Sequence, residues 1–396
     1  MGSALVRRQP ASEPAAAPLA AVANDGVLPT DVLVEVLLRL PANALCRLRA
    51  VCRAWRSLTC DPIFVKAHSS RHPLLACLHC SSGEIHFTDL IGNIVKRIHT
   101  VQVANLFDLN THLDMVTLTD TEGRLCVINA ATGAVSVLPA NVAEHETLGC
   151  ASSSSCKLGW VPSTGEYKVL RMHMYRSADR GDFVQICSIV TVDKGNETWR
   201  TIPSPSTLLQ WDYSRSVVVL GGVAYFLLCH YNDDIEVDRI AAFDFATEEW
   251  RPVTRGPVSS LLADSEDSKV VYSEDYWDCF RLAVLNGCLV MVHHNSRGRP
   301  SLELWFLTTD IDEVQWTKRY SLAVPHAPWA WKYIGTDFHP VVVLDDGRTT
   351  VWVKRPTDLI AYDAKTCTWN YMDPIYDYAA IGVHQGSLLG EGLYVC

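Results

Sequence analysis

The chain has 396 residues, 48% of them apolar and 20% charged, with a formal charge of −10 at neutral pH. That length exceeds one ordinary core and predicts two or more domains, and the apolar content is too high for a disordered chain. The longest apolar run, Val217 to Cys229, is broken by Gly221 and Gly222 and is too short for a membrane helix, and the 14 scattered cysteines do not make the dense framework of a small disulfide-stapled secreted domain.

Residues 1–26 are rich in Ala and Pro and read as a disordered leader. An organellar transit peptide is the other reading, and Glu13, Asp25 and the few basic residues argue against it. Without an export signal, the sequon Asn196-Glu197-Thr198 meets no glycosylation machinery, and the expected location is the cytoplasm, the nucleus or both. Residues 27–70 carry a net charge of +3 and residues 71–396 a net of −13. So acidic a body does not hold nucleic acid by neutralising phosphates.

Residues 27–70 predict a small helical domain. After Leu28-Pro29, the apolar Leu33, Val36, Leu37 and Leu40 fall on one helical face, with Asp31 in the first turn where a carboxylate suits the helix dipole. Pro41 ends that helix or opens the next, and Leu45, Leu48, Cys52 and Trp55 make a second apolar stripe before Asp61-Pro62. Some forty residues of helix do not bury two such faces alone, so the head packs on the rest of the chain or docks on another protein.

The string from Leu28 to His68 closely resembles the F-box. Leu28-Pro29, Asp31, Glu35, Leu37, Arg39-Leu40-Pro41, Leu45, Arg47, Val51-Cys52, Trp55-Arg56-Ser57-Leu58, Asp61-Pro62, Phe64 and His68 carry the likeness in order. The resemblance implies a helical module that binds the Skp adaptor of a cullin–RING ubiquitin ligase. It assigns the apolar contact and the module's own core jointly to Leu28, Pro29, Leu33, Val36, Leu37, Leu45, Leu48, Val51 and Trp55, without separating the two roles. Asn43-Ala44 and Leu48 depart from the family's usual Lys-Ser and aromatic residue.

From residue 74 to the end, short β-rich runs alternate with turn residues. Strands are expected at Glu84–Phe87, Leu125–Asn129, Tyr167–Met172, Val217–Leu220, Val223–Leu228, Leu282–Leu285, Cys288–His293, Leu302–Leu307 and Val341–Leu344. An internal repeat favours a β-propeller over a sandwich or barrel. Asp or Asn, then Thr three residues on, then an aromatic three further on, recurs at Asp244/Thr247/Trp250 and Asp363/Thr366/Trp369. Looser copies are Asp193/Asn196/Trp199, Asp310/Glu313/Trp316, Asn129/Thr132/Val135 and Val161/Thr164/Tyr167. Each reads as a hairpin whose Asx side chain bonds the turn backbone and whose aromatic packs between sheets. Gly221-Gly222, Asn286-Gly287 and Asp346-Gly347 suit type I′ turns. Four-stranded blades, five to seven of them, follow from two hairpins per unit.

The body also resembles the plant F-box-associated domain, a relative of kelch-type propellers. Residues 159–172, 217–228, 240–253, 285–294, 302–310, 316–320 and 341–372 carry that likeness, with Val161 where the family is usually acidic. The expected fold is therefore α plus all-β, a helical F-box followed by a propeller-like domain.

The chemistry-bearing clusters are few. Cys77-Leu78-His79-Cys80 with His86 lacks the second ligand pair of a structural zinc site, so no metal or cofactor is expected. His68 and His72 read as solvent-facing, and His293-His294 closes a strand with at most one ring toward a cavity. The acidic pairs Asp233-Asp234, Glu248-Glu249 and Glu274-Asp275 read as solvated. Trp277, Trp329, Trp331 and Tyr333 stand in loop-like stretches and are candidate binding hot spots or inter-blade packing. No catalytic motif is present. The expected function is the substrate receptor of a Skp–cullin–F-box ligase, partnered by the adaptor, through it by cullin, and by a protein target whose binding residues the sequence does not name. An F-box protein acting outside the ligase, and a ligand-binding or enzymatic propeller with an appended head, are the alternatives.

Overall fold

A computed structural model describes residues 29–99, 106–112, 114–120, 124–130, 132–139, 152–177, 182–192, 197–210, 217–228, 238–257, 280–295, 301–309, 314–323, 338–344, 347–353, 358–371 and 378–384. The chain divides into two compact units that meet at residues 68 and 69.

The first unit is helical: α1 (Thr30–Leu37), α2 (Ala42–Leu48), α3 (Arg53–Cys60) and α4 (Pro62–Arg71), whose last turn crosses into the second unit. Pro29 and Pro41 precede α1 and α2, where a proline costs no intrahelical bond, and Pro62 opens α4. The second apolar stripe is split between two helices, because Cys52 is extended (φ −156°, ψ 163°). Its sulfur accepts from the Trp55 N–H and so caps α3. Asp61 does the same for α4, accepting from the Ile63 N–H at 2.8 Å.

Leu33, Leu37, Leu38, Leu45, Leu58 and Phe64 are buried and make the helical core. Two polar residues lock it. Arg49 donates to the Thr59 hydroxyl at 3.1 Å and carbonyl at 2.9 Å, so it is no simple surface arginine. His68, expected in solvent, is instead 4% exposed, stacked on Phe64, with Nε2 2.9 Å from the Leu40 carbonyl. The Leu40 carbonyl lies beyond the end of α1 and finds no helical partner, which supplies the reason for the histidine's burial.

The second unit is a β-propeller. Its strands run β1 (Leu74–His79), β2 (Ile85–Thr88), β3 (Ile94–Ile98), β4 (Leu106–His112), β5 (Met115–Asp120), β6 (Leu125–Asn129), β7 (Val135–Val137), β8 (Ser152–Val161), β9 (Glu166–Arg176), β10 (Phe183–Val192), β11 (Arg200–Ile202) and β12 (Val217–Leu220). They continue with β13 (Val223–Leu227), β14 (Ile240–Asp244), β15 (Glu249–Thr254), β16 (Phe280–Leu285), β17 (Cys288–Asn295), β18 (Ser301–Thr309), β19 (Val314–Ala323), β20 (Phe338–Val343), β21 (Thr349–Val353), β22 (Asp358–Asp363), β23 (Thr368–Tyr371) and β24 (Tyr378–His384). Each of the nine expected strands overlaps one of these, six lying wholly within and three overrunning by one residue, at Glu84, Leu228 and Leu344.

Among the described residues the strands form six antiparallel four-stranded sheets. Five are consecutive meanders, β4–β7, β8–β11, β12–β15, β16–β19 and β20–β23, here blades 2 to 6. Blade 1 has the order β24-β1-β2-β3, so both ends of the domain share one sheet. The first strand of each blade touches the first strand of the next, β24 to β4, β8, β12, β16, β20 and back to β24, which closes the ring. Each of the six junctions has its own apolar cluster. Closing a sheet ring leaves only short outer edges.

The repeat sits between the third and fourth strands of its blade. Asp244 Oδ1 accepts from the Ala246 N–H, Asp363 Oδ1 from Lys365 and Asn129 Oδ1 from Thr132, at 2.8 to 2.9 Å. The fourth residue after each Asx takes a left-handed φ: Gly133 at 77°, Glu248 at 60° and Cys367 at 53°. The Val161/Thr164/Tyr167 copy is out of phase; it lies between the first and second strands of blade 3. The true blade 1 counterpart is Asp89, which accepts from Ile91 and Asn93 in the β2–β3 turn. Of the predicted type I′ turns, Gly221-Gly222 and Asn286-Gly287 have positive φ at both positions; Asp346 lies outside the described residues.

The repeat's tryptophan has a specific task. Trp199, Trp250, Trp316 and Trp369 each donate Nε1–H to a backbone carbonyl at or just past the end of the preceding blade's outermost strand. The acceptors are Pro139, Pro203, Arg255 and Ala323, at 2.7 to 3.0 Å. Four junctions thus carry the same indole latch, and the spacing of the repeat is the spacing of the latches. Blade 2 has Val135 at that position and no such donor.

Candidate protein-docking surfaces

The nine residues that the sequence assigned jointly to contact and core separate in the structure. Leu33 (2% exposed), Leu37 (1%) and Leu45 (0%) are core. Leu48 and Trp55 are half-buried. Pro29, Val36 (47%) and Val51 (63%) face outward. Leu28 lies outside the described residues. Pro29 and Val36 share their side of α1 with Val32 (41%), at positions i, i+3 and i+7, and Ile63 (45%) is exposed in the first turn of α4. Val32 and Ile63 were missed by sequence reasoning, although Val32 stands four residues before Val36, a spacing that places both on one face. A helical unit with a filled core that still presents four large aliphatic residues to solvent has the makings of a docking surface.

The propeller has two unlike ends. In antiparallel four-stranded blades, the turns between strands one and two and between three and four lie at one end. The turns between two and three, and the links from blade to blade, lie at the other. At the first end the connections have two to seven residues. At the second, residues 255–279 separate β15 from β16, 228–239 separate β13 from β14, and 138–151, 203–216 and 324–337 join other blades. Trp277, Trp329, Trp331, Tyr333, Asp233, Asp234, Glu274 and Asp275 belong to these connections and lie outside the described residues. Variable loops on a rigid ring are where a propeller carries specificity. The chain enters the ring at Leu74, opposite His384 in register, at the end with the short turns.

At the long-connection end of blade 1, His86 is buried between Tyr378, 2.9 Å from Nδ1, and Glu84, 3.0 Å from Nε2. A carboxylate only accepts, so the His86 Nε2–H donates to Glu84. The hydrogen bond from His86 holds the Glu84 carboxyl below its usual range, and burial pushes the Tyr378 phenol up to about 12. His99 approaches the other oxygen of Glu84 at 2.6 Å. Among the described residues no group of three or more His, Cys, Asp or Glu is arranged to hold a metal ion. Of the cysteine pair expected on the first strand, Cys77 is buried in β1 and Cys80 is exposed in the following turn.

One further sequence expectation changes. Glu248 is not solvated: it holds Lys168 at 2.7 Å and Arg200, and burial, which alone would raise its carboxyl, is outweighed by those two cations. Lys168 also donates to the Phe245 carbonyl, so this trio ties blade 3 to blade 4. His293 and His294 are both buried, the first stacked on Phe280 and facing Glu303 at 3.3 Å.

Comparison with known proteins agrees with this geometry. Residues 26–69 match an F-box-like domain and residues 69–367 match the F-box associated beta propeller domain. An F-box protein of Arabidopsis thaliana is 25% identical over 85% of this chain and 85% of its own length. An Arabidopsis F-box/LRR-repeat protein is 25% identical over 89% of this chain and 77% of its own. For a third relative, an Arabidopsis putative F-box protein also 25% identical, the match spans 56% of this chain and 57% of the relative. Among solved structures, a catalytically inactive virginiamycin B lyase from Staphylococcus aureus aligns over 78% of this chain and 86% of its own at a TM-score of 0.36 and 12% identity, too distant a likeness to bear on function. With its helical head and six-bladed ring, the chain belongs to the F-box associated β-propeller family, as an F-box protein of the kind found in plants.

Proposed function

We propose that this chain is the substrate receptor of a Skp–cullin–F-box ubiquitin ligase. The observation that carries the reading is the outward apolar set Pro29, Val32, Val36, Val51 and Ile63 on an F-box-like head whose core is already filled. These residues contact the Skp adaptor, and through it cullin; Leu33, Leu37 and Leu45 hold the helices that present them. The long-connection end of the propeller holds a protein target. The chain itself makes and breaks no bonds: it contributes proximity and orientation, which lower a barrier by several kcal/mol when reactants are held together. Lysines on the target receive the ubiquitin, in the cytoplasm, the nucleus or both.

The test is co-purification of adaptor and cullin with the full chain. Recovery of both, with ubiquitin transfer to a bound protein in the reconstituted complex, supports the receptor. Recovery of the adaptor without cullin would leave an F-box protein working outside the ligase.

A further inference from the structure

Glu84, Asp244, Glu248 and Glu303 are buried to a similar depth, with side chains 12 to 19% exposed, but only three of them hold a fixed cation. Glu248 pairs with Lys168 and Arg200, Asp244 with Arg251, and Glu303 with Lys318. Among the described residues Glu84 pairs only with histidines, His86 on Oε2 at 3.0 Å and His99 on Oε1 at 2.6 Å. The hydrogen bonds and charges that act on its carboxyl come from those two rings and the Ser82 hydroxyl; no lysine or arginine is among them. The two histidines are unlike. His86 is 5% exposed and met on its far side by the Tyr378 phenol, whereas the His99 side chain is 83% exposed. One carboxylate oxygen is thus held from within. The other is covered by a ring that has little burial to keep it in place.

The surroundings suit a cation supplied by a partner. The turn from β1 to β2 joins the second and third strands of blade 1, and His99 follows β3, so the group stands at the long-connection end of the ring. His79 faces Glu84 across that turn, its N–H donating to the Glu84 carbonyl at 2.9 Å. The His79 imidazole is half-buried, held by the Ser82 hydroxyl at 2.9 Å and packed 5.0 Å from the His86 ring and edge-on to Tyr378 at 5.7 Å. A carboxylate with a flat ring beside it offers the two contacts a guanidinium makes, a fork to oxygen and a stacked plane. The hydrogen bond from His86 keeps the Glu84 carboxyl below its usual range and therefore charged. Residues 71–396, at a net of −13, draw cations toward it. Arg97, opposite His86 in the β2–β3 register, acts on the Tyr378 phenol and not on Glu84.

We propose that Glu84 and the His79 ring form a recognition subsite for an arginine side chain of the protein target, which displaces His99 from Oε1. This deepens the receptor reading and rests on it for the partner being a target: the target carries a basic, arginine-bearing segment. His86 and Tyr378 are positioning residues that aim the carboxylate.

The experiment is titration of the full chain with a fluorescent arginine-rich peptide, followed by anisotropy, beside a peptide with citrulline in place of every arginine. Neither adaptor nor cullin is present. A failure here therefore leaves the ligase assignment standing, and a failure to recover the adaptor leaves this subsite standing. Glu84→Gln is compared with Glu249→Gln, which removes the same charge from an exposed residue at the opposite end of the ring and sets the non-specific baseline. Expected is saturable binding of the arginine peptide alone, about tenfold weaker in Glu84→Gln and unchanged in Glu249→Gln. His99→Ala uncovers Oε1 and binds more tightly than wild type. Absence of saturable binding, equal binding of the citrulline peptide, equal affinity in wild type and Glu84→Gln, or equal losses in the two glutamine variants overturns the proposal. So does a His99→Ala variant no tighter than wild type. Should Glu84→Gln fail to fold, His99→Ala, at an exposed residue, decides by itself.

Discussion

The helical head and the propeller bury apolar surface in opposite styles. The head has a core of six residues and leaves Val32, Val36, Val51 and Ile63 in solvent. The propeller packs a separate cluster into each of six junctions and, among the described residues, exposes only scattered apolar residues such as Ile91, Val137 and Val253. A ring of repeated sheets satisfies itself; a four-helix fragment of this size does not. The difference separates two roles: on the proposed reading the head's outward residues answer to a partner, whereas the propeller's junctions are constrained by one another.

The sharpest way to break that contrast is to charge the head's core. Leu37→Asp buries a carboxylate with no partner, at a cost of several kcal/mol, and unfolds the head while the propeller stays intact. Limited proteolysis should release an N-terminal piece and leave the ring's thermal transition unchanged. A shifted ring transition would mean that the two units do not fold separately.

Acid should find the propeller's seam. His384, in β24, is 3% exposed with neither ring nitrogen hydrogen-bonded; burial, with Lys96 adding to it, lowers its pKa to about 4. Burial does the same to His112, at the end of the neighbouring β4. Both rings are neutral when folded, and the unfolded chain binds protons at its ordinary pKa near 6.5. Stability present above that pH is therefore lost as pH falls from about 6.5 to about 4, by up to roughly 3 kcal/mol per histidine. His384→Phe should flatten the pH dependence of Tm across that window; an unchanged slope would place the acid-labile group elsewhere.

The indole latches give a smaller, repeated effect. Trp369→Phe keeps an aromatic ring against Tyr362 and deletes the bond to the Ala323 carbonyl. The loss is about 1–2 kcal/mol, and Trp199→Phe should match it if the latches are equivalent. Smallest, and of opposite sign, is Cys367→Gly. The residue sits at φ 53°, so glycine relieves strain and should raise stability by up to about 1 kcal/mol, read as a higher denaturation midpoint.

How much of this was legible in the sequence follows the same division. The head was read from its ordered string, and the strands from alternation and turn residues. The roles of Leu33 and Val36 were not separable, because both are aliphatic and only packing decides which faces inward. The misplaced copy at Val161 arose because a Thr three residues before an aromatic is common in any hairpin, while Asp89 was passed over for want of a tryptophan. In the sequence His68 and Glu248 read as solvated because their partners, the Leu40 carbonyl and Lys168 with Arg200, are distant along the chain. Blade 1 was hidden for the same reason: its strands come from both ends of the domain.

The most direct measurement is the affinity of the full chain for a Skp adaptor, wild type against Val36→Lys. Val36 is near the C-terminal end of α1 and exposed, where a lysine suits the helix dipole and leaves the fold intact. The account predicts affinity at least tenfold weaker with an unchanged melting curve. Equal affinity in a folded variant would contradict it and remove the outward face of α1 from the docking surface.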